Sequence, residues 1–203
     1  MASPRSTVDT SSTSRELARK ALHAAAAPLA ILYAHGLARD RVLAVFGVAT
    51  VVAVGVEVAR CAWPEFARQF ERLVGDLLKN QEHTTVTGAT WLFGACFALV
   101  ALLPRDQAVS ALWCAIVGDP AATLAGRAWQ RRFRGAANRR KSNAGSIACL
   151  VVGATGVWAF AHFAPWAAFV VALAATAAER LPLPFDDNAT VAVGAGVAAW
   201  LVT

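Results

Sequence analysis

The stretch AVSALWCAIVGDPAATLAGRAW, residues 108–129, decides how this chain is read. Ala108 to Val117 is almost wholly apolar and then meets Gly118-Asp119-Pro120. Asp at a cap followed by Pro at the first helical position is a helix-start pair. The pattern therefore predicts one helix that stops at Gly118 and a second that begins at Asp119 and carries Thr123, Gly126 and Arg127. Residues 119, 123 and 126 then share one face. In a soluble helix Asp119 would be a cap and nothing more; beside an apolar span, an ionisable residue is a candidate for function.

The rest of the chain says that the span is one of several. Hydrophobic residues make up 57% of 203, charged residues only 16%, and the mean hydropathy is +0.49, a composition for a bilayer rather than for water. Apolar runs recur at Ala21 to Leu37, Val42 to Val58, Gly88 to Leu103, Ala108 to Trp129, Ala144 to Phe163, Trp166 to Ala178 and Ala189 to Val202. The expected fold is all-α, a polytopic membrane bundle of about seven transmembrane helices. Between the second and third runs, Trp63, Phe66, Phe70, Leu73, Leu77 and Leu78 oppose Arg68, Gln69, Arg72, Asp76 and Lys79. That alternation predicts one interfacial amphipathic helix. Residues 1–18, rich in Ser and Thr, read as a disordered cytoplasmic tail and not a cleaved targeting peptide, and 19–203 as the membrane-embedded domain. The four cysteines have no paired spacing and read as packing residues.

Charge orients the bundle. The N-terminal tail and the second, fourth and sixth loops hold 16 Lys and Arg, the opposite side 3, so the N-terminus and those loops are expected to be cytoplasmic. The net charge of +6 is spread beside apolar runs apart from one basic loop. An acidic headgroup or phosphorylated ligand is thus the expected partner, and nucleic acid is not.

Nearly every polar cluster falls on that one side. Arg19, Lys20 and His23 share a helix face. Glu57 and Arg60 form an internal ion pair or a substrate contact. The fourth loop runs from Arg127 through Arg131, Arg132, Arg134, Arg139 and Arg140 to Lys141, and then Ser142-Asn143-Ala144-Gly145-Ser146 opens the fifth span. Positive-inside topology accounts for most of these arginines; Lys141 abuts a helix start, where charge and dipole act together on an anion. Gly135 to Ser142 approaches a phosphate-binding P-loop, but Arg140 stands where its second glycine belongs and no strand precedes it. In the sixth loop, Asp186 and Asp187 adjoin Asn188, which reads as an N-cap; the paired carboxylates suit a shared cation.

Arg19-Lys20-x-x-His23, Thr87-Gly88-Ala89-Thr90, Gly118-Asp119 with Gly126-Arg127, Lys141-Ser142-x-x-Gly145-Ser146 and Leu183-Pro184-x-Asp186-Asp187-Asn188 resemble, in that order, the polyprenol (dolichol), phytol and CTP-dependent diacylglycerol kinase family. Asn143-Ala144 departs from it, since members often carry a bulkier and an acidic residue there. The resemblance implies a multi-span kinase that moves a phosphoryl group from CTP, with Mg²⁺, to the hydroxyl of a lipid alcohol. Carried onto this chain, Asp119 and Asp187 hold Mg²⁺. Arg19, Gly126, Ser142, Gly145, Ser146 and Asn188 join Arg127 and Lys141 around the nucleotide. Lys20 reaches the triphosphate, and Asp186 or His23 deprotonates the lipid. Phosphoryl transfer, which is chiefly positioning and charge neutralisation, is served by such a set. Two other readings stay open on the sequence: a phosphatidate cytidylyltransferase, which also uses CTP, and a small membrane transporter or lipid scaffold with Asp119 and Glu57 along a pathway.

Overall fold

The computed structural model describes residues 10–78, 82, 85–133, 142–181 and 186–203. Every element in them is helical: α1 Thr10–Ala24, α2 Ala27–Ala34, α3 Arg39–Ala62, α4 Pro64–Val74 with a 3₁₀ turn at Gly75–Leu77, α5 Gly88–Leu102, α6 Arg105–Trp113, a π-helical turn at Cys114–Gly118, α7 Asp119–Arg132, α8 Asn143–Phe160, α9 Pro165–Arg180 and α10 Asp187–Leu201. Among the described residues three helices are long and apolar enough to cross a membrane: α3, the continuous α6–α7 rod and α8. The remaining expected spans are shorter, α5 and α10 having 15 residues and α9 16.

The α6–α7 rod is the centre of the bundle. Two thirds of its apolar stretch (67%) is buried, against 11% for α3, most of whose valines are exposed. Leu112 and Ile116 of the rod pack with Val157 of α8, Val171 of α9 and Val191 of α10, all fully buried. Close approach there depends on small residues, as in other membrane bundles: a Cβ on Gly156 would stand 1.8 Å from the Trp113 indole nitrogen, which donates to the Val152 carbonyl at 2.9 Å.

Two expectations need correcting. The run Ala21–Leu37 is not one helix, because the chain breaks at Ala25–Ala26. The helix before that break starts at Thr10, inside the segment assigned to a disordered tail, and is tied down by Glu16, which pairs with Arg127 of α7. Second, Asp119-Pro120 does not end a helix. Proline lacks an N–H and its ring crowds the carbonyl four residues back; the chain relieves this by widening into a π turn just ahead. The surface helix stands as expected, separate from α3. Trp63, restricted to extended backbone by Pro64 (φ −123°, ψ 104°), turns the chain into α4, which lies across the bundle end with none of its residues buried, as its alternation predicts.

The polar residues separate to the two ends of the bundle. At one end Arg39 donates to the Val100 and Ala101 carbonyls closing α5, and Arg105 donates to Leu37 and lies over the Tyr33 ring. These cations serve as caps. The other end holds the remaining clusters.

Candidate active site

Lys20 and His23 project from the last turns of α1, three residues apart, and meet Asp119 at the top of the π turn. Lys20 Nζ forms a buried ion pair with Asp119 Oδ2; the residues are 8% and 4% exposed, so neither charge is screened by water. Asp119 is therefore not a cap: its carboxylate leaves its own helix to take a cation 99 positions away in the chain.

The π turn also bears on His23. Asp119 N–H bonds to the Cys114 carbonyl, one residue further back than in an α-helix. Ala115 thereby loses its α-helical donor, and the next candidate, Pro120, has no N–H. The vacated Ala115 carbonyl acts on the His23 imidazole, tending to raise its pKa. His23 Nε2 is buried and has no hydrogen-bond partner. Burial first, and the Lys20 ammonium second, pull the His23 pKa down to about 4, while Asp119 and Asp186 act to raise it. This ring on α1 is a neutral base at ordinary pH.

A second strand of the site comes from α5 and α10. Asp186, not Asn188 as expected, is the N-cap of α10, its Oδ1 accepting from Asn188 N–H at 3.0 Å. Asn188 is thus released to reach across to α5, donating from Nδ2 to the Gly88 carbonyl at 3.0 Å. Glu82 approaches the same glycine and accepts from Gly88 N–H at 3.1 Å. Only glycine fits: a Cβ there would lie 2.9 Å from Asn188 Nδ2 and 3.0 Å from Glu82 Oε1. Glu57 of α3 accepts from Thr87 N–H and from Arg60. Arg60 in turn holds the Glu82 carbonyl at 2.8 Å and stacks over Phe70 of α4. The pair expected within α3 is real and fastens the Glu82 segment.

Against this polar wall lies a cavity of about 860 Å³ between α1, α3, the α4 surface helix and α5. Its far walls are aliphatic, including Val48, Ala49, Val52 and Ala53 of α3, with Phe70 and Leu78 at its rim; Lys20, His23, Glu82 and Asn188 line its polar end.

Of the residues singled out in the sequence, Lys20, His23, Asp119, Asp186 and Asn188 come together, and Arg19 lies on the same cavity. Gly126, Ser142 and Gly145 meet two turns further along α7, about 10 Å on at 1.5 Å per residue. Ser142 is the N-cap of α8, its Oγ accepting from Gly145 N–H at 3.1 Å. A Cβ on Gly126 would strike that Oγ at 2.8 Å, and one on Gly145 the Ala122 carbonyl at 2.7 Å. Ser146 Oγ donates to the Ser142 carbonyl, Arg127 pairs with Glu16, and Asp187 opens α10. Lys141 lies outside the described residues. Glu82, Gly88 and buried Glu179 were not singled out as site residues; no local spacing marks them, and the motif containing Gly88 was the one available signal.

Fold and site together define an integral membrane protein whose buried charges stand at the head of an apolar cavity, an arrangement for an amphiphile whose polar end meets a charged ligand. Relatives make that more specific. The chain is 27% identical over 180 residues to the CTP-dependent diacylglycerol kinase 1 of Schizosaccharomyces pombe, covering 86% of this chain and 78% of that protein. It is 30% identical over 161 residues to the protein of the same name from Saccharomyces cerevisiae, covering 78% of this chain and 55% of the relative. With that of Eremothecium gossypii it shares 33% over 116 residues, 54% of this chain and 35% of the relative. No protein-family model and no solved structure matches. Over most of its length the chain is thus similar to CTP-dependent diacylglycerol kinases.

Proposed function

We propose that this protein transfers the γ-phosphoryl group of CTP to the hydroxyl of a lipid alcohol, a diacylglycerol, polyprenol or phytol, at the cytoplasmic face of its membrane. The observation that carries the reading is the cavity: aliphatic walls that suit a lipid chain end at Lys20, His23, Glu82 and Asn188, in a chain whose relatives are CTP-dependent diacylglycerol kinases. In this reading the short helices cross as well. Apolar α2 with its flanks, α3, α5, α6–α7, α8, α9 and α10 make about seven passes, and α1 and α4 lie at the cytoplasmic surface.

Mg²⁺ fits the donors that are present. Among the described residues no group of three or more His, Cys, Asp or Glu converges as a self-sufficient cage. Magnesium does not need one, since it takes one or two carboxylates and completes its shell with phosphates and water. Asp119 and Asp187 would hold it, and bound there it would neutralise charge on the phosphate oxygens. Lys20 and Arg127, each now paired with a carboxylate, would exchange that partner for the triphosphate, with Arg19 and Lys141 beside them. The N–H groups at the head of α8, around Gly145 and Ser146, would add fixed dipoles. Asn188 and Glu82 would fix the polar end of the lipid, and Asp186 or His23 would receive its proton.

Purified protein in lipid nanodiscs, given CTP or ATP labelled at the γ position and a panel of diacylglycerol, dolichol and phytol, tests this directly. Labelled phospholipid and CDP are expected from CTP. Release of pyrophosphate with a CDP-lipid would instead establish the cytidylyltransferase, and no labelled lipid from any donor would end the kinase reading.

A further inference from the structure

The head of α5 is held from outside its own helix. The first N–H groups of a helix have no partner within it, and two at α5 are taken by carboxylates from elsewhere. Thr87 N–H donates to Glu57 Oε1 at 2.9 Å and Gly88 N–H to Glu82 Oε1 at 3.1 Å. One side chain fastens both acceptors. Arg60, in the last turn of α3, donates from Nη1 to Glu57 Oε2 and from Nη2 to the Glu82 carbonyl, each at 2.8 Å; its planar fork of donors lets one residue hold both. With Gly88 in place, its carbonyl takes Asn188, so the polar wall of the cavity, Glu82, Thr87, Gly88 and Asn188, is set through Arg60. One face of the guanidinium is covered by Phe70 of the surface helix, with 4.9 Å from Cζ to the ring centroid.

That ring belongs to a helix with a second surface to cover. Phe66, Phe70 and Leu73 follow at helical spacing, Phe66 stacking on Phe70 at 6.3 Å, while Leu73 is 84% and Trp63 64% exposed. Arg68 and Arg72, also exposed, lie on the opposite side. What covers the apolar side is fixed by where α4 starts. α3 is long and apolar enough to cross a membrane and ends at Ala62, with Trp63 between it and α4, so Trp63 and α4 lie where a span reaches the headgroups. A helix charged on one side and apolar on the other seats its apolar side in that layer.

We infer that Arg60 is a positioning residue that couples the seating of α4 on the bilayer interface to the polar wall of the lipid cavity. Seated, α4 holds Phe70 against the guanidinium, and Arg60 keeps Glu57 and Glu82 on the head of α5. Lifted, α4 takes the ring away, the fork loses its backing, and the wall that meets the polar end of the lipid loosens. The effect on turnover rests on the kinase reading above. In this way the bilayer that supplies the lipid completes the site that receives it.

Full-length protein in nanodiscs, followed by hydrogen exchange of backbone amides and by lipid phosphorylation, tests the coupling. Leu73→Asp puts a charge on the seated side and should speed exchange across α4 and at Thr87 and Gly88, with α8 unchanged. In turnover it should raise KM for the lipid several-fold and leave KM for CTP as it was. Phe70→Leu keeps α4 apolar and seated but removes the ring; exchange should rise at Thr87 and Gly88 and not in α4, by about 2- to 30-fold, the range of one cation–π contact. Arg60→Gln should raise it there by about 10- to 100-fold, as for lost hydrogen bonds to a charged group. Leu73→Asp added to Arg60→Gln should change Thr87 and Gly88 no further, since the link is already cut. Additive effects in that double variant, or a Leu73→Asp protein whose α4 is freed while Thr87 and Gly88 stay protected, overturn the coupling. Unchanged exchange of α4 in Leu73→Asp overturns the seating on the bilayer. If the wild type phosphorylates no lipid from CTP, the kinase reading fails instead, and the exchange of Thr87 and Gly88 still decides whether Arg60 links them to α4.

Discussion

Removing either charge of the Lys20–Asp119 pair should destabilise the protein, and removing both should restore stability without restoring catalysis. The two residues are 8% and 4% exposed, so Asp119→Asn leaves an ammonium, and Lys20→Met a carboxylate, desolvated without its opposite charge in the pair. Breaking such a pair costs about 3–5 kcal/mol, whereas replacing both charges is often neutral. For a chain of this size that is a fall in Tm of about 6–12 °C per single variant at the low end of the range, with Lys20→Met/Asp119→Asn back within a few degrees of wild type. Asparagine keeps the carboxylate's shape and hydrogen-bonding edge. Thermal unfolding in mild detergent, read beside CTP-dependent lipid phosphorylation, separates the effects: all three variants should lose at least about 100-fold in activity, an order set by transition-state charge stabilisation, and only the singles should lose stability. A double variant as unstable as the worse single would refute the reasoning, since it would mean that the pair's charge balance is not what burial there requires. On the sequence alone, Asp119→Ala abolishes phosphorylation without lowering the amount of inserted protein; the pair with Lys20 changes that expectation to one of reduced yield.

Three further outcomes follow from the geometry. Gly88→Ala places a methyl 2.9 Å from Asn188 Nδ2 and 3.0 Å from Glu82 Oε1, and should cost about 1–3 kcal/mol and at least 10-fold in turnover. Gly94→Ala in the same helix, with nothing within 4 Å, should be neutral or slightly stabilising, and equal effects from the two would sink the account of Gly88. Ala49→Trp, filling an aliphatic wall of the cavity, should raise KM for the lipid several-fold and leave KM for CTP unchanged; a reversed pattern would place the lipid elsewhere. Cys61 is the exposed cysteine, while Cys96, Cys114 and Cys149 are buried, so a membrane-impermeant maleimide should label wild-type protein at Cys61 only from the cytoplasmic side. Labelling from the opposite side would invert the proposed orientation.

Local rules found the pieces they govern. Alternation gave α4, the Ser142 cap gave the start of α8, and ordered motifs gave Arg19, Lys20, His23 and Asn188 on the cavity, with Asp119 paired to Lys20 behind them. What they missed depends on partners far away in the chain. Asp119-Pro120 reads as a break because cap and proline preferences are local. In the core of a bundle, an interrupted helix would leave several N–H and C=O groups unpaired with no water to take them, whereas a π turn frees one carbonyl. Glu82 sits among loop residues with no period, and its role is set by Gly88 and Arg60, which no spacing predicts.

Several of the expected spans are short, and their length bears on the chemistry. At 1.5 Å per residue, α5 and α10 are each about 22 Å long, and Asp119 lies about 21 Å along its rod from Arg105. Their far ends meet one another: Arg39 binds the carbonyls that close α5, and Gln107 binds Thr203 just past α10. Gly88, Asp119 and Asp187 therefore stand at one level, and in the proposed seven-pass arrangement the helices that carry them fall about 8 Å short of a hydrocarbon core roughly 30 Å thick. The neighbouring α3, with 24 residues and about 36 Å of length, spans that thickness and more. A charged centre recessed to this depth, walled by a longer helix with an aliphatic face, lets a lipid hydroxyl reach it while the chain stays in the bilayer. Short helices are then a requirement of the site: lengthening α10 by one turn ahead of Asp187 should move its carboxylates about 5 Å outward and abolish lipid phosphorylation, even where the inserted protein remains folded.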